Sequence, residues 1–140
     1  MKWDKNVEEG EFIECIEGKR TYGYTYIKNK KHATIKSRDF YDKGFNFYHN
    51  GKYYRYSTAV AGSEDLKPVP ADTFRGETIY NFGIMERDPE DNNKIKFSVV
   101  TQADFKINVP AFMLTTFLPK ATKTWFDTVQ KHYQKNHKNL

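Results

Sequence analysis

The sequence has a single cysteine, Cys15, and no long run of apolar residues. One cysteine excludes a disulfide scaffold and a multi-cysteine zinc site. No window approaches the roughly 20 apolar residues of a membrane-spanning helix, so a span of that kind is excluded too. The first residues, Met-Lys-Trp-Asp-Lys-Asn, lack the apolar stretch of a secretory signal peptide. These absences predict a cytoplasmic protein.

Patterns typical of catalysis or metal binding are equally scarce. The four histidines are scattered along the chain, and no serine stands in the context of a nucleophile elbow. A glycine-rich phosphate loop is also missing from the sequence. We therefore expect a protein that is not an enzyme and that uses neither a metal nor a cofactor.

Aromatic residues, in contrast, are plentiful: they make up 16% of the 140 residues. Because disordered chains are poor in aromatic residues, the sequence predicts a folded protein, and its length suits one domain over residues 1–140. The net charge is +5, and lysines cluster within residues 28–31 and 131–138. These clusters could be solvated faces or could contact an anionic membrane surface.

Alternation of aromatic and polar residues predicts strands over most of the chain. Tyrosines occupy every second position over residues 22–26, which places them on one face of a strand. The pair Asn50-Gly51 between two alternating segments predicts a tight hairpin. One strand is predicted over residues 74–85. The longest alternation covers residues 94–107 and indicates an antiparallel sheet with one covered face.

The pattern changes at Pro110, and apolar residues then recur at helical spacing to about Asn136. Proline suits the first position of a helix, whereas Pro119 inside it predicts a kink or a break. Strands followed by one long helix indicate an α+β fold. The aromatic residues could then fill the space between sheet and helix, or a curved sheet could leave an apolar cavity there for a ligand.

Six short motifs follow one another along the chain. They are Trp3-Asp4, Ser37-Arg38-Asp39-Phe40, Thr73-Phe74-Arg75, the tract from Glu86 to Lys94, Val100-Thr101-Gln102-Ala103-Asp104 and Val109-Pro110. In this order and spacing they resemble the START family of lipid-transfer domains, which have the helix-grip fold. The resemblance implies a curved antiparallel sheet of about six strands packed on the C-terminal helix. It also implies one lipid in a tunnel between them and no catalysis.

The resemblance and the alternating faces together suggest which residues bind the lipid. Phe40 and Asn81 correspond to an aromatic and a polar headgroup position of the phosphatidylcholine branch, where aromatic rings attract the quaternary ammonium of choline. Arg75 could touch a headgroup or could pair with Asp39 in a structural role. The predicted lipid-binding residues are Tyr24, Tyr26, Phe40, Phe45, Phe47, Tyr54, Tyr56, Arg75, Asn81, Phe97, Val99, Phe117 and Trp125.

The ligand that the resemblance implies is a phospholipid rather than a sterol. The sterol-binding branch commonly has an arginine shortly after the Arg-Asp-aromatic motif, facing an acid across the cavity. Here that stretch is Tyr41-Asp42-Lys43-Gly44-Phe45. The resemblance also implies transient contact with a membrane surface, during which the helix and the loop at residues 62–72 act as a lid.

The start of the chain departs from the family. Trp3 corresponds to a point well inside the family's domain, so we expect a chain that lacks the domain's N-terminal third. In the family those missing strands lie against the last strand, and residues 94–107 are therefore expected to have a bare edge. Because such an edge invites strand pairing, self-association through it is predicted.

Two other functions are open at this point. A basic, aromatic-rich sheet also suits a nucleic-acid-binding module, although nucleic acid is not among the expected partners. An enzyme of the wider helix-grip superfamily would need a polar cluster in the tunnel, and the sequence shows no convincing one. A non-enzymatic carrier or sensor of a lipid is the function that we expect.

Overall fold

The structure is a computed structural model that describes residues 4–15, 22–31, 35–91, 93–108 and 110–136. Trp3 and Val109, each the first residue of one of the six motifs, lie outside the described residues. The strands are β1 (Val7–Cys15), β2 (Tyr22–Asn29), β3 (Ser37–His49), β4 (Lys52–Ala59), β5 (Thr73–Arg75), β6 (Glu77–Arg87) and β7 (Ile95–Asp104). The helices are α1 (Ser63–Leu66) and α2 (Ala111–Asn136).

All seven strands belong to one sheet. Six of them follow the order β1-β2-β3-β4-β6-β7 with antiparallel neighbours, and β5 pairs in parallel with the start of β3. β1 and β7 form the edges, so within the described part of the chain β7 has one strand neighbour, β6. The predicted α+β fold, an antiparallel sheet of about six strands with a long C-terminal helix, is confirmed.

The hairpin between β3 and β4 turns at Asn50 and Gly51, as predicted. Both residues have a positive φ, 48° and 77°, the left-handed conformation that a tight type I′ turn requires. Because this turn twists in the same sense as the strands, it fixes the register of Phe45 opposite Tyr56.

One strand predicted over residues 74–85 is two strands in the structure, divided at Gly76. The amide of Gly76 donates a hydrogen bond to the Asp39 carbonyl at 2.8 Å, and the Phe40 ring lies against its Cα. A Cβ at this position would be 2.3 Å from that ring. Only glycine therefore fits where the chain leaves β5 and enters β6.

Helix α2 starts at Ala111, directly after Pro110, and continues for 26 residues to Asn136. The predicted helix is confirmed, and it passes Pro119 without the break that was one of the two expected outcomes. Its length is about 39 Å at 1.5 Å per residue. The half-buried side chains of α2 lie at residues 125–129, whereas the other described ones are exposed.

Strand pairing divides the side chains of the sheet between two faces. The inner face is the one that meets α2, because the Phe97 ring lies 6.4 Å from Trp125 and 5.7 Å from Phe126. Met85 and Tyr53 share the inner face with Phe97, since they stand opposite one another along β7, β6 and β4. The opposite side of the sheet is the outer face.

The most buried part of the described chain lies on the outer face. Tyr26 and Tyr41 are its two buried apolar side chains, 0% and 7% exposed, and they stand opposite each other on β2 and β3. The Lys67 ammonium lies 3.8 Å from the centre of the Tyr26 ring and pairs with Glu9 and Glu11 of β1. The loop that carries α1, expected to be part of a lid beside the helix, thus packs on the outer face instead.

Candidate lipid-binding site

We call the space between the inner face and α2 the groove. Phe97 and Val99 of β7 are half-buried along one side, where Trp125 and Phe126 of α2 pack against Phe97. The first half of α2 is much more open, and Phe117 there is 66% exposed. Helix and sheet therefore meet at the second half of α2, whereas the side chains of its first half are exposed.

The centre of the inner face is polar. Asn46 of β3 stands opposite Arg55 of β4, and Ser57 of β4 stands opposite Asn81 of β6. Residues that are directly opposite in antiparallel strands point to the same side of the sheet. We call this group the polar inner cluster; it comprises Asp42, Asn46, Arg55, Ser57, Thr78 and Asn81.

Asp42 is the most constrained member of the polar inner cluster. Burial raises the pKa of its carboxyl group above the ordinary value, while a hydrogen bond from Thr78 and the positive charge of Arg55 act in the opposite direction. Its Oδ1 atom is buried and has no hydrogen-bond partner in the described structure. A buried acceptor without a donor is unfavourable, so this oxygen has capacity for one more hydrogen bond.

Arg55 is exposed on the same face. Among the described residues its guanidinium has an electrostatic interaction with Asp42 but no hydrogen-bonded or ion-paired partner. An arginine has five N–H donors in a planar fork, an arrangement that suits the oxygens of a phosphate. The inner face thus presents a cation and an unsatisfied acceptor on neighbouring strands, four residues apart in the register.

Five of the predicted lipid-binding residues border the groove. Phe40, Asn81, Phe97 and Val99 stand on the inner face, and Trp125 faces it from α2. The Phe40 ring meets Phe105 edge-to-face at 5.4 Å. Asn81 is half-buried within the polar inner cluster.

Six other predicted residues stand on the outer face, away from the helix. They are Tyr24, Tyr26, Phe45, Phe47, Tyr54 and Tyr56. The Phe47 and Tyr54 rings stack at 4.8 Å with an angle of 10° between them, and Phe45 stacks on Phe47 at 5.9 Å. This placement argues against the expectation that they line a tunnel under the helix. Alternation showed which residues share a face, but not which face the helix covers.

Arg75 is engaged on the outer face as well. Its Nε and Nη2 atoms donate to the two carboxylate oxygens of Asp39 at 2.9 and 3.0 Å, and Asp39 is 0% exposed. Arg75 also donates to Ser63 Oγ at 2.6 Å and to the Lys67 carbonyl at 2.9 Å. Asp39 accepts a further bond from the Tyr26 hydroxyl at 3.2 Å. The geometry supports the structural alternative for Arg75.

Sequence reasoning missed Asp42, Arg55 and Ser57. Their positions alternate with the aromatic residues of β3 and β4, so the same period-two pattern contained them on the opposite face. The sequence pattern favours the aromatic face as the covered one, whereas the registers show that the polar face meets α2. The period-two pattern thus contained these residues, but which of the two faces is covered depends on where the helix packs.

Metal and membrane-spanning features were also sought in the described residues. No group of three or more His, Cys, Asp and Glu side chains in that part of the chain is arranged to hold a metal ion. No helix in it is long and apolar enough to cross a membrane.

Solved structures with the same fold confirm the architecture. Human StAR-related lipid transfer protein 5 has a TM-score of 0.77 and 25% sequence identity, and the match covers 97% of this chain and 64% of that one. The crystal structure of human STARD10 has a TM-score of 0.73 and 20% identity, with coverage of 97% and 56%. This chain thus spans less than two thirds of either of those chains.

The sequence itself gives the family. No curated protein sequence is a significant match. The START domain model, however, matches residues 1–135, which is nearly the whole chain. Together with the inner groove between sheet and helix, this match confirms the resemblance that the motifs indicated. The chain therefore belongs to the START domain family, whose members are typically non-enzymatic lipid binders.

Proposed function

We propose that this chain binds a single lipid in the groove between the inner face and α2, as a carrier or a sensor. The observation that carries the proposal is the distribution of polarity around the groove. Apolar side chains such as Phe97 and Trp125 border it, whereas Asp42 and Arg55 stand on its floor. Ligand sites combine an apolar lining with a few polar groups in this way, and a lipid has the matching two-part chemistry.

A phospholipid fits this floor better than a sterol. Arg55 is an exposed cation without a hydrogen-bonded partner among the described residues, and charge-assisted bonds from arginine to phosphate are strong and directional. A sterol has one hydroxyl and no anionic group, so it would leave the guanidinium unpaired.

Native mass spectrometry of the purified chain tests lipid binding directly. The chain is incubated with vesicles of mixed phospholipids and sterol, reisolated, and sprayed under non-denaturing conditions. We expect one phospholipid per chain and vesicle-to-vesicle transfer of a fluorescent phospholipid. A chain that carries no lipid and transfers none would overturn the proposal.

Contact with a membrane surface would involve the first half of α2. Phe112, Phe117 and Leu118 are 71%, 66% and 49% exposed, and the nearby Lys120 and Lys123 supply positive charge. An apolar surface flanked by lysines suits an anionic bilayer interface. Co-sedimentation with anionic and neutral vesicles tests this contact; equal recovery in both pellets would contradict the electrostatic contribution.

The bare edge of β7 is the proposed site of self-association. In an antiparallel pair of two β7 strands centred on Val100, Lys96 of each copy stands opposite Asp104 of the other. Opposite charges at directly facing positions favour that register, and Val100, 58% exposed, meets its own copy.

Charge reversal tests that register. Lys96→Glu and Asp104→Lys should each shift a concentration-dependent dimer towards monomer in analytical ultracentrifugation, and the double variant should restore it. A chain that stays monomeric at every concentration, or a double variant that does not recover, would refute this pairing.

A further inference from the structure

The polar inner cluster contains two groups whose bonding is incomplete. Asp42 Oδ1 is buried and accepts no hydrogen bond in the described structure. Arg55, whose charge acts on Asp42, has no hydrogen-bonded or ion-paired partner within the described residues. Both stand on the inner face, on neighbouring strands β3 and β4. A ligand that completes both must carry an anionic group for Arg55 and, at another point of the same headgroup, an N–H or O–H donor for Asp42.

The positions of the aromatic rings also favour a ligand with an N–H donor over one with a quaternary ammonium. A quaternary ammonium such as choline has no N–H and is usually held by rings through cation–π attraction. The largest group of stacked rings, including Phe45, Phe47 and Tyr54, lies on the outer face. The inner face has fewer rings, among them Phe40 and Phe97, and it also has the Asp42 carboxylate. A carboxylate favours an ammonium that can donate hydrogen bonds.

We propose that the polar inner cluster selects a phosphoethanolamine headgroup, with Arg55 binding the phosphate and Asp42 accepting a hydrogen bond from the primary ammonium. This inference rests on the proposed lipid-binding function and adds the chemical class of the headgroup. The ammonium completes the bonding of Asp42 Oδ1, whereas a trimethylated ammonium leaves that oxygen without a donor. The cost of a buried, unsatisfied acceptor corresponds to a preference of about tenfold or more for the primary amine.

A series of lipids that differ only in methylation of the amine isolates this hydrogen bond. Dioleoyl phosphatidylethanolamine, its N-methyl and N,N-dimethyl derivatives, and dioleoyl phosphatidylcholine carry three, two, one and no N–H groups. The purified chain is loaded from vesicles that contain pairs of these lipids in equal amounts, and bound lipid is quantified by mass spectrometry. We expect the first three to bind similarly and binding to fall about tenfold at phosphatidylcholine.

Two variants assign the effect to residues. Asp42→Asn replaces the carboxylate by a neutral amide oxygen, which accepts more weakly from an ammonium. It should therefore reduce the discrimination between the two lipids, with phosphatidylcholine binding unchanged. Arg55→Gln should weaken binding of both phospholipids while their ratio is kept. Glu64→Gln, a change of the same type at an exposed position outside the inner face, is the matched control and should behave as the unaltered chain.

The outcomes separate this inference from the function on which it rests. If no lipid binds, lipid binding itself fails. If lipids bind but phosphatidylcholine is taken up as well as phosphatidylethanolamine, or if Asp42→Asn keeps the preference, the headgroup inference is overturned and lipid binding stands. Soluble phosphoethanolamine is the last arm: binding as tight as that of the intact lipid would show that the acyl chains contribute nothing, which contradicts lipid binding instead.

Discussion

Replacing Arg75 by methionine should cost this chain a large part of its stability. The variant Arg75→Met keeps most of the aliphatic stem but removes two hydrogen bonds to Asp39, at 2.9 and 3.0 Å, and the bonds to Ser63 and Lys67. The Asp39 side chain is 0% exposed and that of Arg75 is 10% exposed. After the change, the hydroxyl of Tyr26 is the side-chain donor that remains, among the described residues, to a fully buried carboxylate.

The size of the effect follows from the charge that is left behind. Breaking one partner of a buried ion pair costs about 3–5 kcal/mol, because the other charge stays buried and uncompensated. In a domain of this size 1 kcal/mol lowers the midpoint of thermal unfolding by roughly 2–4 °C. We therefore expect Tm to fall by roughly 10–15 °C in circular dichroism melts.

Two further variants make the result interpretable. Asp39→Asn combined with Arg75→Met removes both charges, so it should be more stable than Arg75→Met alone. Arg87→Met, a matched change at an exposed arginine, should shift the free energy of unfolding by less than about 0.5 kcal/mol. If Arg75→Met leaves Tm unchanged but lowers lipid binding, the residue is the headgroup contact that the sequence allowed, and the structural argument is refuted.

Three other changes test the packing and the groove. Gly76→Ala should destabilise the chain by about 1–3 kcal/mol in urea unfolding, because the new Cβ would meet the Phe40 ring at 2.3 Å; an unchanged midpoint would contradict this. Because burial raises the pKa of Asp42, its stabilising contribution is complete at pH values below the ordinary carboxyl pKa and is lost as the pH rises through the raised one. Asp42→Asn should thus have a free energy of unfolding about 1 kcal/mol higher than the unaltered chain at pH 7 and equal to it at acid pH. A variant that differs from the unaltered chain only at acid pH would contradict this prediction. Phe117→Glu should reduce vesicle-to-vesicle lipid transfer with little change in Tm, since the ring is 66% exposed; an equal loss of both would show that the ring is core.

Local patterns explain what the sequence predicted well. The turn at Asn50 and Gly51 depends on the conformations that these two residues allow, and the start of α2 depends on Pro110 and the change of period that follows. Neither requires knowledge of a distant contact. The division of one predicted strand at Gly76 does require it, because the ring that excludes a side chain there belongs to Phe40 on another strand.

The orientation of the sheet towards the helix lay beyond sequence reasoning for a related physical reason. Alternation is present in both β3 and β7, but two of the β3 rings, Phe45 and Phe47, stand on the opposite face from Phe97 of β7. Phe47 is on the outer face and Phe97 on the inner one, and their relation passes through the registers of β4 and β6. A slip of one residue in any of these pairings exchanges the faces. Only the assembled sheet therefore shows that the polar positions, and not most of the aromatic ones, face α2.

Strand β3 carries residues for both stability and headgroup binding, the two properties that these experiments measure separately. Near its start, Asp39 and Tyr41 are buried on the outer face and contribute to stability. Its even positions, such as Asp42 and Asn46, stand on the inner face in the groove. Because both sets belong to one strand, the outer packing holds the backbone that positions the polar inner cluster. A change at Arg75 should consequently reduce binding only through unfolding, whereas Asp42→Asn should alter headgroup choice in a chain that is at least as stable.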